Sequence, residues 1–175
     1  MLFDGLEFAQ LKHEDIPILT PIMKRAFDDD SRLYFPIPVG GPVGYDDGSF
    51  LEKWGLDPKA TAFRINMDGE AIGAMTLLLD YEDNSGVLVN LFIDSTLIGK
   101  GYGSTAWRFA ENTYPQITMW ETETPAVSYR NHSFYINKCG FSVYAVDGER
   151  DRFQARFKLR KIMTSKPQYD RGDCP

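Results

Sequence analysis

The chain has 175 residues and a mass of 19.9 kDa, which fits one domain with a hydrophobic core. Hydrophobic residues make up 43% of it and aromatic residues 14%, so a globally disordered chain is excluded. The 19 Lys and Arg against 25 Asp and Glu give a net charge of −6, which argues against nucleic acid and favours a cationic substrate. With no signal-peptide pattern and no apolar run of roughly 20 residues, we expect a cytoplasmic protein without a membrane partner.

Two cysteines, Cys139 and Cys174, form no metal-spaced cluster, so we expect reduced thiols and no metal. Residues 1–163 are predicted to form the folded domain. The segment 164–175 has few core-forming side chains and is predicted to be a flexible tail, in which Arg171-Gly172-Asp173 is interpreted as a chance match to an adhesion motif. A homodimer is compatible with the sequence.

The first half of the chain predicts a strand, a helix and a hairpin. A strand over Leu6–Leu11 precedes a helix that is expected to end in the acidic run Asp28-Asp29-Asp30. The Pro- and Gly-rich loop from Tyr34 to Gly48, followed by a short helix, is predicted to form a flap beside the substrate. Alternation in Thr61–Met67 and the apolar run Ala71–Leu79 flank an Asp-Gly turn and predict an antiparallel hairpin.

The second half predicts a strand, helix, strand unit. Val87–Ile93 is almost wholly apolar, which predicts a central strand buried on both faces. A glycine-rich segment opens a helix that Pro115 stops before a strand over Ile117–Glu123. A helix over Ser128–Lys138 and two final strands follow. The sequence therefore predicts an α/β (α+β) fold with a mixed, mostly antiparallel sheet of about six to seven strands and a central βαβ unit.

The strongest functional signal is the segment Ile98-Gly99-Lys100-Gly101-Tyr102-Gly103-Ser104 between the central strand and a helix. Glycines let the backbone approach a ligand closely, and the first amides of a helix attract anions, so the segment predicts a pyrophosphate-binding loop. A P-loop is excluded because Lys100 is followed by glycine instead of Ser or Thr. A dinucleotide-binding fold stays a minor alternative, because Gly101–Ala106 fits its glycine pattern and Glu121 follows at a suitable distance.

The sequence resembles the GNAT superfamily of acyl-CoA N-acyltransferases in two motifs that occur in the family's order. Leu91 to Gly103 is similar to the fourth strand and the Gln/Arg-x-x-Gly-x-Gly/Ala signature, with Ile98 where the family usually has Gln. Asn131 to Phe141, which contains Tyr135, is similar to the second signature. The resemblance implies a GNAT fold with helices on both faces of the sheet. It also implies transfer of an acetyl group from acetyl-CoA to a primary amine by direct attack in a ternary complex.

The resemblance also implies roles for individual residues. The backbone of Phe92 and Ile93 would pair with the pantetheine arm, and the amides around Gly99 to Ser104 would hold the pyrophosphate. Asn131 and Tyr135 are four residues apart, so one helix face would present both to the cofactor. Tyr135 would protonate the leaving thiolate, because a tyrosine with a pKa of about 10 keeps its proton at neutral pH.

The base that removes the ammonium proton is left open by the sequence. Glu121 and Glu123 lie on one face of their strand, and either could reach the cleft. Asn90, the only polar residue of the preceding strand, cannot act as a base. His132 is predicted to be a surface residue and Cys139 a small buried side chain. A proton path through water is a further alternative.

The acceptor is expected to be a small-molecule or peptide amine. Carboxylates at Asp28-Asp29-Asp30 and Asp46-Asp47 are predicted to flank the acceptor cleft and to attract a cationic amine. The alternative from another functional class is an acyl-CoA-binding or interaction domain without catalysis. The Ile98 substitution and the absence of a carboxylate on the central strand keep that alternative open.

Overall fold

The computed structural model describes residues 1–148 and 150–163, and these form one sheet with helices on both of its faces. The strands are β1 (Leu2–Phe3), β2 (Leu6–Gln10), β3 (Ala60–Met67), β4 (Glu70–Asp80), β5 (Ser85–Ile93), β6 (Met119–Pro125), β7 (Ser142–Asp147) and β8 (Arg156–Ile162). Their order in the sheet is β1-β2-β3-β4-β5-β6-β8-β7. Within the described residues, β5 and β6 form the one parallel pair, and the other neighbours are antiparallel.

The helices are α1 (Ile16–Tyr34), α2 (Tyr102–Thr113) and α3 (Tyr129–His132), and α3 continues as a π-helical turn over Ser133–Lys138. A second π-helical turn covers Leu51–Gly55.

Two hydrophobic cores lie on opposite faces of the sheet. Trp107 and Phe109 of α2 pack against one face, and Leu19 and Met23 of α1 pack against the other. Alternate residues of β3 and β4 contribute to the two cores, as a strand with both faces covered requires. The pair of cores explains how a chain of this length buries so many aromatic side chains.

The predicted mostly antiparallel sheet with a central parallel step is confirmed, and the doubly wound sheet of the dinucleotide alternative is wrong. The sheet has eight strands instead of six or seven, because Leu2–Phe3 pairs with Leu6–Glu7. The strand predicted over Ile117–Glu123 is shifted to Met119–Pro125. The predicted tail 164–175, including Cys174 and the Arg171-Gly172-Asp173 triplet, lies outside the described residues.

The acidic run does not end α1, contrary to the prediction from the sequence. The helix continues through Asp28-Asp29-Asp30 to Tyr34. Carboxylates near a helix C-terminus normally oppose the helix dipole. Here each of the three carboxylates accepts hydrogen bonds from donors on neighbouring segments or on the preceding turn, and these bonds offset that unfavourable contribution.

Candidate active site

A gap between β5 and β6 forms the centre of the site. The two strands pair only where Ser85, Gly86 and Val87 meet Met119, Trp120 and Glu121. Beyond that point β5 continues to Ile93 and β6 to Pro125 without pairing to each other. The diverging edges leave backbone groups available for an extended ligand.

A β-bulge lies at the start of the gap. Thr76 of β4 pairs with Asn90 and its neighbour Leu77 pairs with Leu88, so Val89 is the extra residue. The prediction that β5 is buried on both faces is wrong. Val87 is 39% exposed because it faces the open cavity. Val89 also lines the cavity and is half-buried, with part of its side chain packed against the core under α1.

One large cavity of about 1540 Å³ occupies the gap and continues to both faces of the sheet. It exceeds the roughly 300 to 1,000 Å³ of an ordinary ligand pocket, so it has room for two substrates. Twelve of the thirteen predicted site residues line it: Phe92, Ile93, Ile98, Gly99, Gly101, Tyr102, Gly103, Ser104, Glu121, Glu123, Asn131 and Tyr135. Lys100 does not line it, and its backbone N–H donates to the Leu97 carbonyl at 3.4 Å.

The start of α2 forms one end of the cavity. Gly101 has a φ of 85° and precedes the first residue of the helix, and Gly99 has a φ of 86°. Both angles lie in the left-handed region that glycine adopts without strain. The amides of Tyr102, Gly103 and Ser104 belong to the first turn and have no acceptor within the helix, so they can bind an anion. Ile98 lines this end but offers no side-chain donor.

Tyr135 lies beside this loop on the α2 side of the gap. It is 9% exposed and packs edge-on against Phe134 and Phe141. A Cβ on Gly103 would lie 3.1 Å from the Phe134 ring, which shows how closely α2 approaches the π-helical turn that carries Tyr135. Burial raises the pKa of Tyr135 above its usual value. The hydroxyl therefore keeps its proton at neutral pH and can donate it.

Glu121 and Glu123 line the cavity from β6, on the strand face opposite Thr122. Glu121 Oε1 accepts two hydrogen bonds from Arg160, at 2.9 and 2.7 Å. Glu123 is 58% exposed, and its Oε1 lies 3.8 Å from Arg156 Nε. The Glu123 carboxylate therefore has fewer and longer contacts with cations than the Glu121 carboxylate.

Comparison with known proteins agrees with this geometry. The sequence model of the Acetyltransferase (GNAT) family matches residues 24–141. The chain belongs to the GNAT acetyltransferase family. A curated relative, "Uncharacterized protein YrkN" of Bacillus subtilis (strain 168), is 30% identical over 138 residues, which cover 79% of this chain and 72% of the relative.

Solved structures show the same GNAT fold. The PaiA N-acetyltransferase of Thermoplasma acidophilum in complex with coenzyme A matches with a TM-score of 0.72 and 18% identity over 90% of this chain and 98% of that one. An acetyltransferase of Thermus thermophilus matches with a TM-score of 0.69 and 18% identity over 93% and 100%. The microcin C7 self-immunity acetyltransferase MccE in complex with acetyl-CoA and AMP matches with a TM-score of 0.66 and 14% identity over 91% of this chain and 93% of that one. At these identities the likeness concerns the fold.

The acidic run of this GNAT chain has structural partners. The Asp28 carboxylate accepts hydrogen bonds from Lys24 at 2.7 Å, from Tyr45 at 2.7 Å and from the Gly40 backbone at 3.1 Å. Burial alone would raise the pKa of Asp28, but these bonds outweigh it and hold the pKa below its usual value. Asp28 therefore fastens the loop after α1 to the helix.

The next two carboxylates hold the start of α3. Asp29 accepts from Arg130 at 2.6 Å, and that bond holds the pKa of Asp29 below its usual value. Asp30 accepts from Ser128 at 2.9 Å and from Arg130 at 3.2 Å, while burial raises its pKa. Of the five carboxylates predicted to flank the acceptor cleft, Asp30 lines the cavity, whereas Asp28, Asp29, Asp46 and Asp47 do not. Their attraction for a cationic amine stays a prediction.

Two buried polar groups lie at the gap: Asn90, which the sequence excluded only as a base, and Thr124, which the sequence did not single out. Asn90 is 8% exposed and Thr124 is 2% exposed, and both line the cavity. Asn90 Nδ2 and Thr124 Oγ1 have no hydrogen-bond partner among the described residues. For Asn90 the available signal was a polar residue in a largely apolar strand, since a buried polar group normally has a partner. The polar strand β6 offers no such signal for Thr124.

Three further features concern metal binding, the Cys139 thiol and membrane crossing. Across residues 1–148 and 150–163, no group of three or more His, Cys, Asp and Glu side chains is placed to hold a metal ion. Cys139 is 2% exposed, which confirms it as a small buried side chain. Burial raises the pKa of its thiol to about 12. No helix in the described part of the chain is long and apolar enough to cross a membrane.

Proposed function

We propose that this GNAT chain is an N-acetyltransferase that moves an acetyl group from acetyl-CoA to a primary amine by direct attack in a ternary complex. The observation that carries the proposal is one cavity in which the amides at the start of α2, the unpaired edge of β5 and the Tyr135 hydroxyl lie together. The amides would hold the pyrophosphate, and the backbone of Phe92 and Ile93 would pair with the pantetheine arm. Asn131 would face the same ligand from α3.

Tyr135 would act when the thioester breaks. The amine nitrogen bonds to the thioester carbon, the carbon–sulfur bond breaks, and the sulfur takes a proton. A buried neutral hydroxyl is suited to donate that proton, because its raised pKa keeps it protonated over the whole neutral range. The nitrogen loses a proton, ultimately to solvent, as the amide forms, and Tyr135 returns to its neutral form by taking one proton from solvent, so the protons balance.

We propose Glu123 as the group that accepts the ammonium proton. The Glu121 oxygen already accepts two hydrogen bonds from Arg160, which leaves it less free to bind a proton. Glu123 lines the cavity, is more exposed, and has only the longer contact with Arg156. Its exposure supports a transfer through water to the carboxylate.

The test measures binding and turnover separately. Acetyl-CoA or CoA at 100 times its Kd should add about 2.7 kcal/mol to the free energy of unfolding, which raises Tm by about 5 to 10 °C. An amine panel followed by release of free CoA thiol should then show turnover. Stabilisation without thiol release for any amine would instead support the non-catalytic acyl-CoA-binding domain. No stabilisation at all would contradict both functions.

A further inference from the structure

The cavity lining is basic although the whole chain is acidic. The chain carries a net charge of −6, but five basic and three acidic side chains line the cavity. Arg156 and Lys158 are two of the basic ones, and they alternate along β8 opposite Pro125 and Glu123 of β6. Paired residues of antiparallel strands share a sheet face, so both cations lie on the face that carries Glu123.

Most of the lining carboxylates are already neutralised. Asp30 is bound by Ser128 and Arg130, and Glu121 is bound by Arg160. Across residues 1–148 and 150–163, by contrast, no carboxylate lies within ion-pair distance of Lys53. The Lys53 Nζ lies over the Trp54 ring, 4.9 Å from the ring centroid.

Among the other lining cations, Arg130 is bound by Asp29 and Asp30 and Lys158 by Asp147 at 2.7 Å, whereas Arg156 has only the 3.8 Å contact with Glu123. The positive charge of Lys53 and Arg156 is therefore the less compensated, and it favours an anion in the cavity.

Asn90 supplies an independent indication of the ligand. Asn90 pairs with Thr76, which lies two residues after Ala74 and therefore on the same face of β4. Ala74 belongs to the core beneath α1, so Asn90 faces the α1 side of the sheet. This is the side opposite Tyr135. The Nδ2 group is buried in the cavity wall without an acceptor among the described residues. A buried donor without an acceptor is unfavourable, and an oxygen of a bound molecule would satisfy it.

Aromatic side chains form part of the cavity wall. Phe35, which follows α1, and Phe153, which precedes β8, have ring centroids 6.0 Å apart, and both line the cavity. Phe27 and Trp54 add to this wall from α1 and from the π-helical turn over Leu51–Gly55. The wall is suited to an apolar or aromatic body.

We propose that the acceptor is an amine that also carries an anionic oxygen group on an apolar body, as an apolar α-amino acid does. Its carboxylate accepts a hydrogen bond from Asn90 Nδ2 and is attracted by the positive charges of Arg156 and Lys53. Its side chain packs against Phe35 and Phe153. This inference rests on the proposed transfer to amines, and it replaces the cationic acceptor expected from the acidic composition.

The experiment compares amines that share one body. Initial rates of CoA thiol release are measured with phenylalanine, phenylalaninamide and 2-phenylethylamine, with the leucine and 3-methylbutylamine pair, and with spermidine. We expect kcat/KM for each amino acid to exceed that of its carboxylate-free partner and of spermidine by about tenfold or more, the value of a hydrogen bond to a charged group. Equal values, or a preference for spermidine or the carboxylate-free amines, overturn the inference.

Two variants test the assigned groups. Asn90→Ala and Arg156→Ala should each raise KM for phenylalanine, leave KM for acetyl-CoA unchanged, and reduce the preference over 2-phenylethylamine about fivefold to tenfold. Arg108→Ala is the matched control, because Arg108 and Asp4 form a surface ion pair of similar exposure outside the cavity. It should change none of these constants.

The outcomes separate the two proposals. A loss of kcat in Asn90→Ala that is equal for phenylalanine and 2-phenylethylamine would place Asn90 at the thioester and overturn its assignment to the acceptor. Should Asn90→Ala fail to fold, an unchanged preference in Arg156→Ala overturns the inference by itself. Failure of the proposed function looks different, because no amine of either kind would then release thiol.

Discussion

The part of the cavity that we propose for the cofactor, here the cofactor half, and the part that we propose for the acceptor, here the acceptor half, are built from different kinds of sequence. The cofactor half comes from β5 and the start of α2, together with the π-helical turn that follows α3, and presents mainly backbone amides. The acceptor half brings together α1, the segment 35–54, β6 and β8, and presents side chains. A site of backbone amides is specified by glycines and a helix start, which neighbouring residues encode. A site of side chains depends on which distant segments meet.

The acidic run shows what this difference means for a single motif. In the sequence it is three adjacent carboxylates, and their negative charge is all that can be seen. In the fold, Asp28 holds the loop after α1 through Tyr45 and Gly40, while Asp29 and Asp30 hold α3 through Arg130. The run joins the two halves of the cavity, and most of its charge is used within the protein.

The largest effect is expected in the cofactor half. Tyr135→Phe should lower the single-turnover rate of acetyl transfer about a hundredfold, because it removes the hydroxyl that protonates the thiolate. Binding of acetyl-CoA should be unchanged. Since burial raises the pKa of Tyr135, the wild-type rate should not fall near pH 10, where an exposed tyrosine would lose its proton.

Tyr114→Phe is the control for that prediction. Tyr114 is partly buried, and it does not line the cavity. Its variant should transfer acetyl at the wild-type rate. A wild-type rate in Tyr135→Phe as well would leave protonation of the thiolate to solvent and make Tyr135 a packing residue.

An intermediate effect is expected from the loop before α2. Gly101→Ala should raise the Kd for acetyl-CoA about tenfold, because a side chain at a φ of 85° costs about 1 to 2 kcal/mol and shifts the amides that follow. Gly69→Ala is matched, since Gly69 also has a φ of 85° and open space around its Cα but lies in the turn between β3 and β4. Calorimetric titration should show weaker binding in Gly101→Ala alone. Equal affinities would show that the backbone at Gly101 does not hold the cofactor.

The smallest effect is expected where the two halves are joined. Asp28→Asn removes a charged acceptor of three hydrogen bonds and should lower the free energy of unfolding by about 1 to 3 kcal/mol. KM for the acceptor should rise a few-fold, with KM for acetyl-CoA unchanged, because the loop borders the acceptor half. Asp46→Asn, in the same loop and exposed, should alter neither. A parallel rise in both KM values would contradict the division into two halves.

The low pKa of Asp28 adds a pH dependence to the same comparison. Its carboxylate contributes stability above the ordinary aspartate pKa of about 3.9, and that stability is lost as the pH falls through the lower pKa of the folded state. The free energy of unfolding, measured in both proteins from neutral to acid pH, should therefore fall less in Asp28→Asn than in the wild type.

The sequence was sufficient where short-range patterns decide structure. The alternation in Thr61–Met67, the Asp-Gly turn and the glycines at 99 and 101 predicted the hairpin and the helix start that the structure contains. The burial of β5 was predicted wrongly, because an apolar side chain that faces a cavity and one that faces a core have the same composition.

By itself, the sequence determined the family, the order of the elements and the segment that forms the start of α2, because glycine conformations and helix starts follow from neighbouring residues. Only the tertiary structure decided where β5 and β6 part, which carboxylates are neutralised, and that Asn90 and β8 line the cavity. Those features depend on segments tens of residues apart. Burial and charge at such places result from packing, which no local pattern records.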